Sequence, residues 1–384
     1  MSGRIVIVGA GPAGLATARA YRENGGTGAV TMIGSEPRAP YRRPPLTKAF
    51  LRGEMPVEEL PLARESWYAE HEVELRLGCT AREVDPDGGA VETDEGELRA
   101  EAIVLATGSE PVLPPLPGVE HPDVLTVREQ GDSERVAQRA RPGAQVLVLG
   151  SGFIGCEIAG SLALNGAHVT MIAQEDAPQQ ERLGGEVAAR LAGWLGELGV
   201  ELVAGARVEE VEDGRIAVLD DGRRVVGECM VLGTGSRPRV ELAEAAGASV
   251  EQGAVAVDEH MRASDRLLAV GDVACAHNPS AGRRLRVEHW GDALAHGEIA
   301  GKTLAGAQAR WDQVPGFWST IGRRTLKYAA WGDGYDASDL VEHGEDAFTV
   351  WYSRAGRLVG VLTSERDEDY ERGQELIRGG RRAP

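Results

Sequence analysis

Residues 4–14 read RIVIVGAGPAG, and this stretch decides the fold. Four apolar residues (5–8) run into Gly9-x-Gly11-x-x-Gly14, and residues 15–23 continue with helix-like composition. A strand that turns through three glycines into a helix is the fingerprint of a dinucleotide-binding unit. Gly9 permits the tight turn, Gly11 lets a pyrophosphate approach the backbone, and Gly14 lets the helix pack on the strand. Pro12 and Ala13 complete the turn, where free N–H groups and the positive end of the helix dipole attract phosphate. A second apolar run follows at 30–33, and Glu36 stands 22 residues after Gly14. A carboxylate there can accept hydrogen bonds from both ribose hydroxyls.

The rest of the chain bounds what surrounds that unit. At 384 residues it exceeds one ordinary core, so two or three domains are expected. A hydrophobic fraction of 42% and a charged fraction of 26% are those of a soluble globular protein. No apolar run approaches the roughly 20 residues that span a bilayer, and no basic-then-apolar signal segment opens the sequence. Cys79, Cys156, Cys229 and Cys275 form no close pair. Such spacing argues against a disulfide framework and against any zinc or iron–sulfur site, so no metal is expected; it suits a reducing, cytoplasmic setting. The net charge of −19, from 41 basic and 60 acidic residues, repels nucleic acid and anionic membranes while leaving room for a local basic patch.

A second fingerprint lies at 146–155: an apolar run, then Gly150-x-Gly152-x-x-Gly155, with Phe153 and Ile154 opening the next helix. A strand-like run follows at 169–172, and another ends in Gly233-Thr-Gly235. The chain thus carries two dinucleotide folds, an internal repeat of structure rather than of residue identity.

Residues 40–48, PYRRPPLTK, contain two consecutive prolines that fix an extended or turn segment. This segment resembles the PYxRPPLSK stretch of the ferredoxin reductases attached to oxygenases and P450 systems, with rubredoxin reductases and apoptosis-inducing factor as relatives. Thr47 stands where serine is commoner. The resemblance implies an α/β fold of the glutathione-reductase type, with two Rossmann-like domains and a small α+β C-terminal domain. It implies that one nucleotide is FAD and the other a nicotinamide cofactor. It also places Arg43, Pro45 and Lys48 beside the flavin, Lys48 near the reactive edge, where an ammonium stabilises the anionic reduced ring.

Short strands over 73–104 suit a β-meander leading back to the sheet, and Ala106-Thr107-Gly108 resembles the junction at which such reductases leave the first nucleotide domain. Pro111, Pro114, Pro115 and Pro117 form a linker. The expected domains are 1–114 (FAD, first part), 115–238 (NAD(P)H), 239–312 (FAD, second part) and 313–384 (C-terminal α+β).

Ala173 fills the usual position of an NADH-selecting acid, but Glu175 follows two residues later, as in the apoptosis-inducing-factor branch. Arg182, the nearest basic candidate for a 2′-phosphate, lies farther along, so NADH is favoured over NADPH. Glu157 reads as a first-turn acid favoured by the helix dipole; the resemblance adds that the matching glutamate approaches the flavin-side lysine and the nicotinamide. Gly271-Asp272, at the end of a strand with a helix expected just beyond, resembles the motif whose aspartate binds the ribitol chain, and an N-capping aspartate is the alternative. RVEHWGDA (286–293) resembles the E-[SH]-[WVH] segment over the flavin, with His289 and Trp290 as ring contacts; for Trp290 a core position is equally open.

In the tail, VPGFWS (314–319) resembles the VPYFWS opening of the C-terminal domain, with Gly316 in place of tyrosine and Trp318 retained. Strands are expected at 325–331, 348–352 and 357–362, a helix at 369–377, and a frayed end at Arg381 and Arg382. Arg42, Arg43, Arg323, Arg324 and Lys327 could form a basic dock for a small acidic ferredoxin or rubredoxin, on a monomer or homodimer. The implied reaction is hydride transfer from NADH to FAD, then single-electron steps to the iron–sulfur carrier. A signalling NADH-binding flavoprotein and a reductase of a small-molecule acceptor remain open, whereas disulfide reduction is disfavoured because residues 37–50 contain no cysteine and the tail holds only His343.

Overall fold

The computed structural model describes residues 3–344 and 346–384. Its first sheet has five parallel strands in the order Leu267–Ala269, Ala102–Leu105, Ile5–Val8, Val30–Gly34, Val73–Leu77. The three central strands are buried along their whole length, as expected where helices or further layers cover both faces of a parallel sheet. Helix Pro12–Glu23 packs on helix Trp290–Leu304 across Gly297 and Gly301, where an added Cβ would collide with the backbone carbonyls of Ala13 and Thr17.

Two local expectations change. The stretch Val73–Leu77 is the parallel edge strand of this sheet; only Ala81–Asp85, Ala90–Thr93 and Gly96–Arg99 form the antiparallel meander. Beyond Gly271 comes a single 3-10 turn, Gly271–Val273, then strand Ala274–Asn278, and the next helix starts only at Trp290. The run ACAHN that follows the turn opens with three small, buried residues, Ala274–Ala276, which pair with Val255–Val257 as a strand instead of coiling.

The second nucleotide unit repeats the first. Five parallel strands lie in the order Glu201–Val203, His168–Ile172, Gln145–Leu149, Cys229–Leu232, Val124–Leu125. The crossing segments Ser109–Pro111 and Ser236–Pro238 pair antiparallel, tying the outgoing and returning chain together.

A five-stranded antiparallel sheet forms the C-terminal part, ordered Gly316–Ile321, Arg324–Ala330, Arg357–Ser364, Ala347–Arg354, Ala337–Gly344, with helix Asp367–Arg378 against it. Ile321, Leu326, Phe348 and Tyr352 share a core with Ile158, Leu162 and Trp194 of the second nucleotide unit, so this sheet is fastened to that unit by apolar burial. Arg381 is not frayed: its N–H donates to Leu376 O and its carbonyl accepts from Leu358 N at 2.8 Å. Arg382 is exposed.

Candidate active site

One cleft of about 1010 Å³ runs past both glycine-rich turns. At the first turn Gly9 has φ 123°, and a Cβ there would strike the Ala106 carbonyl. Gly11 faces open space, which is the cradle a pyrophosphate needs at a helix start. Pro12, Ala13, Ala106, Thr107 and Gly108 line the same wall. Gly14, Gly150, Gly155 and Pro45 lie behind the lining: the glycines allow strand, turn and helix to touch, and the Pro45 carbonyl accepts from Lys48 N.

Glu36, on the wall beyond strand Val30–Gly34, accepts from Tyr41 Oη and from Arg43 Nη2, each at 2.6 Å. Arg43 also donates to the Arg128 carbonyl at 2.8 Å. Burial pushes the Tyr41 phenol far above its ordinary range, so it stays a donor to Glu36. Across the cleft Asp272 accepts from Ser109 Oγ at 2.8 Å and Arg128 Nη2 at 2.9 Å. It lies inside its 3-10 turn and caps no helix, which removes the capping alternative.

Lys48 and Glu157 meet on the wall of the same cleft. Lys48 Nζ lies 2.5 Å from Glu157 Oε2, and the Glu157 side chain is only 3% exposed. Helix Phe153–Leu164 has no acid in its first turn, so Glu157, on the second turn, owes nothing to the dipole argument; its position is set by the donors around it. Thr47 Oγ1 donates to Oε2 at 2.6 Å and Ser319 Oγ to Oε1 at 2.8 Å.

The second turn supplies Gly152, Phe153 and Ile154 to the cleft, and Gly235, just beyond strand Cys229–Leu232, joins them. Ala173 is buried, while Glu175 faces the wall and accepts from Gln179 N at 3.1 Å and Glu181 N at 2.9 Å. These bonds hold the carboxylate beside the turn, with Arg182 also on the wall. His289 precedes helix Trp290–Leu304, and its Nδ1 lies 3.2 Å from Asp292 Oδ2. Its ring packs 4.7 Å from Phe317, which sits 4.8 Å from Phe153. Trp290 is half-buried on the cleft wall and belongs to no buried core, unlike Trp194, Trp311 and Trp351. Trp318, 41% exposed, also borders the cleft.

Arg128, Ser109, Ser319 and Phe317 escaped sequence reasoning. Phe317 and Ser319 stood in the quoted FWS segment and could have been read from it; Arg128 and Ser109 carry no local pattern. The basic residues do not form an open patch. Arg324 pairs with Glu197 at 2.7 Å and Asp346 at 3.1 Å, Lys327 with Asp367 at 2.7 Å, and Arg43 with Glu36. Arg42 and Arg323 are exposed and make no ion pair among the described residues. No cluster of metal-ligand side chains occurs among the described residues, and no helix there is long and apolar enough to cross a membrane.

Residues 3–297 match the family model of pyridine nucleotide-disulphide oxidoreductases. The chain belongs to that family. Among curated relatives, rhodocoxin reductase of Rhodococcus erythropolis is 30% identical over 97% of this chain and 89% of its own. The ferredoxin reductase component of chlorobenzene dioxygenase from a Cupriavidus species is 31% identical over 98% and 93%. Among solved structures, the covalent putidaredoxin reductase–putidaredoxin complex superposes with a TM-score of 0.93 at 27% identity, covering 98% of this chain and 93% of that one. The protein is an NAD(P)H-dependent flavoprotein reductase with the mixed α/β, two-nucleotide-unit fold of its relatives. Unlike the disulfide reductases in that family's name, it carries no redox-active pair: all four cysteines are buried and unpaired. Burial pushes the thiols of Cys229 and Cys275 up to about 11, which disfavours thiolate chemistry.

Proposed function

We propose that the protein takes a hydride from NADH onto FAD and passes single electrons to a small iron–sulfur protein, a ferredoxin or rubredoxin serving an oxygenase or P450. The observation that carries this reading is the Lys48–Glu157 pair, which ties the proline-rich segment of the first nucleotide unit to the helix that follows the second glycine turn, on the wall of one cleft. The bound flavin supplies the exchange between two-electron and one-electron chemistry.

The chain's residues have separable tasks. The turn Gly9–Gly14, with Glu36, Ser109, Arg128 and Asp272, would hold FAD through its pyrophosphate, ribose and ribitol. The turn Gly150–Gly155 would hold the nicotinamide dinucleotide, with Glu175 accepting from the ribose hydroxyls that NADPH replaces in part by phosphate. Lys48, largely enclosed and paired with Glu157, would present its ammonium on the cleft wall, and a charge in a low-dielectric cleft acts more strongly than one in water. Phe317, His289 and Trp290 wall off solvent from the same place. On this reading residues 1–114 and 239–312 form the FAD unit, 115–238 the nicotinamide unit and 313–384 the third. The unpaired thiols suit a reducing cytoplasm.

Relatives named ferredoxin and rubredoxin reductases support the acceptor class. Because Arg324, Lys327 and Arg43 are neutralised internally, docking would rest on Arg42, Arg323 and exposed Trp318. Reduction of the protein by NADH and by NADPH under anaerobic conditions tests the donor. Adding oxidised ferredoxin tests the acceptor; failure of ferredoxin to reoxidise the reduced protein would exclude it.

A further inference from the structure

Glu157 stands where three segments of the chain meet. Its helix belongs to the second nucleotide unit, Thr47 and Lys48 to the proline-rich segment of the first, and Ser319 and Thr320 to the opening strand of the C-terminal sheet. The two carboxylate oxygens divide the donors between them. Oε2 accepts from Lys48 Nζ at 2.5 Å and Thr47 Oγ1 at 2.6 Å. Oε1 accepts from Ser319 Oγ at 2.8 Å and from Thr320 N at 3.3 Å.

A buried carboxylate needs its lone pairs occupied, but the arrangement does more than satisfy it. The last torsion of a glutamate is broad and roughly two-fold, so the carboxylate turns until its strongest donors fix it. On Oε1 the stronger donor is Ser319, itself 1% exposed. Lys48 in turn has few other partners: the Pro44 carbonyl at 3.2 Å and Thr47 Oγ1 at 3.4 Å. Its place therefore follows the direction in which Oε2 points. Side chains alternate along a strand, and here Ser319 turns inward to Glu157 while Trp318 turns outward.

We infer that Ser319 is a positioning residue: by holding Oε1 it orients the Glu157 carboxylate so that Oε2 fixes the Lys48 ammonium on the cleft wall. This rests on the reading of Lys48 as the charge that acts beside the flavin. Through Ser319 the C-terminal sheet takes part in setting the hydride-transfer geometry.

The test compares FAD-loaded wild type with Ser319→Ala, Ser319→Thr and Lys48→Met, measuring FAD content, the flavin midpoint potential, the limiting rate of reduction by NADH and the NADH concentration dependence. Ser319→Ala should keep FAD and the NADH dependence. Its limiting rate should fall roughly 10-fold, the scale of a small misplacement of a reacting group, and its midpoint potential should move in the same direction as in Lys48→Met but less far. Ser319→Thr, which restores the hydroxyl, should return both quantities toward wild type. An unchanged rate and potential in Ser319→Ala, a loss that threonine does not repair, or a change in NADH dependence alone would each overturn the inference. Should Ser319→Ala fail to retain FAD, Ser319→Cys keeps the shape with a weak donor; wild-type rate and potential in that variant overturn it equally. Lys48→Met distinguishes the two levels: if it too leaves rate and potential unchanged, the underlying reading of Lys48 fails, whereas a slowed Lys48→Met beside an unaffected Ser319→Ala removes only the role of Ser319.

Discussion

The hydroxyl of Tyr370, on the C-terminal helix, occupies the volume that a side chain at Gly316 would need. Where the resembling segment has tyrosine after the proline, this chain has glycine and brings an aromatic ring from elsewhere in the fold. The Gly316 N–H, freed of a side chain, lies against the buried Asp292 carboxylate at 3.3 Å. A tyrosine at 316 collides with Tyr370, so Gly316→Tyr should destabilise by about 1–3 kcal/mol, the usual scale of overpacking. Combined with Tyr370→Ala, much of that loss should return, because the two residues compete for one space. Denaturant titration of the four-member cycle checks this; additive effects would show that the residues do not compete.

Asp292 also bears on pH. Burial pulls His296, fully enclosed, down to about 4, against the opposing pull of Asp292 and Asp272. Its ring meets Trp311 edge-on at 4.6 Å, and neither ring nitrogen has a hydrogen-bond partner among the described residues. The nearby Gly271 carbonyl adds a favourable pull without closing a bond of good geometry. The unfolded chain, with an ordinary imidazole, binds more protons than the folded one between these values. Stability from this residue is therefore full above about 6.5 and is lost as pH falls toward 4; by pH 5 the loss reaches roughly 2 kcal/mol. Replacing His296 by Gln should flatten the fall in unfolding free energy between pH 7.5 and 5 by that amount. An identical slope in the variant would mean that the imidazole is already protonated in the folded state.

The link between Arg128 and Asp272 leads to a third expectation. These residues, 144 apart in sequence, hold each other at 2.9 Å on the cleft wall, and on the proposed function both contact FAD. Asp272→Ala should weaken FAD retention and lower the melting temperature of the holoprotein more than that of the apoprotein, since a ligand stabilises only the state that binds it. Equal shifts in both forms would assign Asp272 a purely structural role.

How much of this was legible beforehand follows from the range of the forces involved. The two glycine turns, their strands and their helices are local, and periodicity with glycine spacing places them within a few residues. The edge strand Ala337–Gly344 was not anticipated because its sequence, ASDLVEHG, is polar and mostly exposed, and only pairing with Ala347–Arg354 makes it a strand. Helix Asp367–Arg378 was seen, two residues short at its start. At the site, Lys48 and Glu157 were brought together by resemblance alone, 109 residues apart in sequence. Ser319, from yet another segment, could not be paired with Glu157 by any local rule. The basic dock is legible only in part: the basic side chains are visible in sequence, but the acids that pair with Arg324 and Lys327, namely Glu197, Asp346 and Asp367, come from elsewhere in the fold or the far side of a turn.

Docking should accordingly respond to specific charges. Reversal of Arg42 and Arg323 should slow electron transfer to a ferredoxin several-fold at low salt and little at high salt, leaving reduction of a neutral dye intact. Reversal of Arg324 should instead destabilise the fold, because it turns the pairs with Glu197 and Asp346 into repulsions. Equal loss of ferredoxin and dye reduction in the first variant would remove Arg42 and Arg323 from the dock.

The proposed choice of nucleotide depends on Glu175. Glu175→Ala should raise the NADH Michaelis constant while leaving that for NADPH nearly unchanged, as measured by steady-state dye reduction. Equal effects on both would mean that its bonds to Gln179 and Glu181 only shape the loop.

The most direct measurement is anaerobic stopped-flow of the flavin-loaded protein, mixed first with NADH and then with an oxidised ferredoxin, alongside Lys48→Met. Rapid bleaching by NADH, slowed about 100-fold in the variant as for loss of one preorganised electrostatic contact, followed by rapid reoxidation by ferredoxin, is the expected result. Slow bleaching of the wild type with a persistent long-wavelength band, and no reoxidation by ferredoxin, would contradict it.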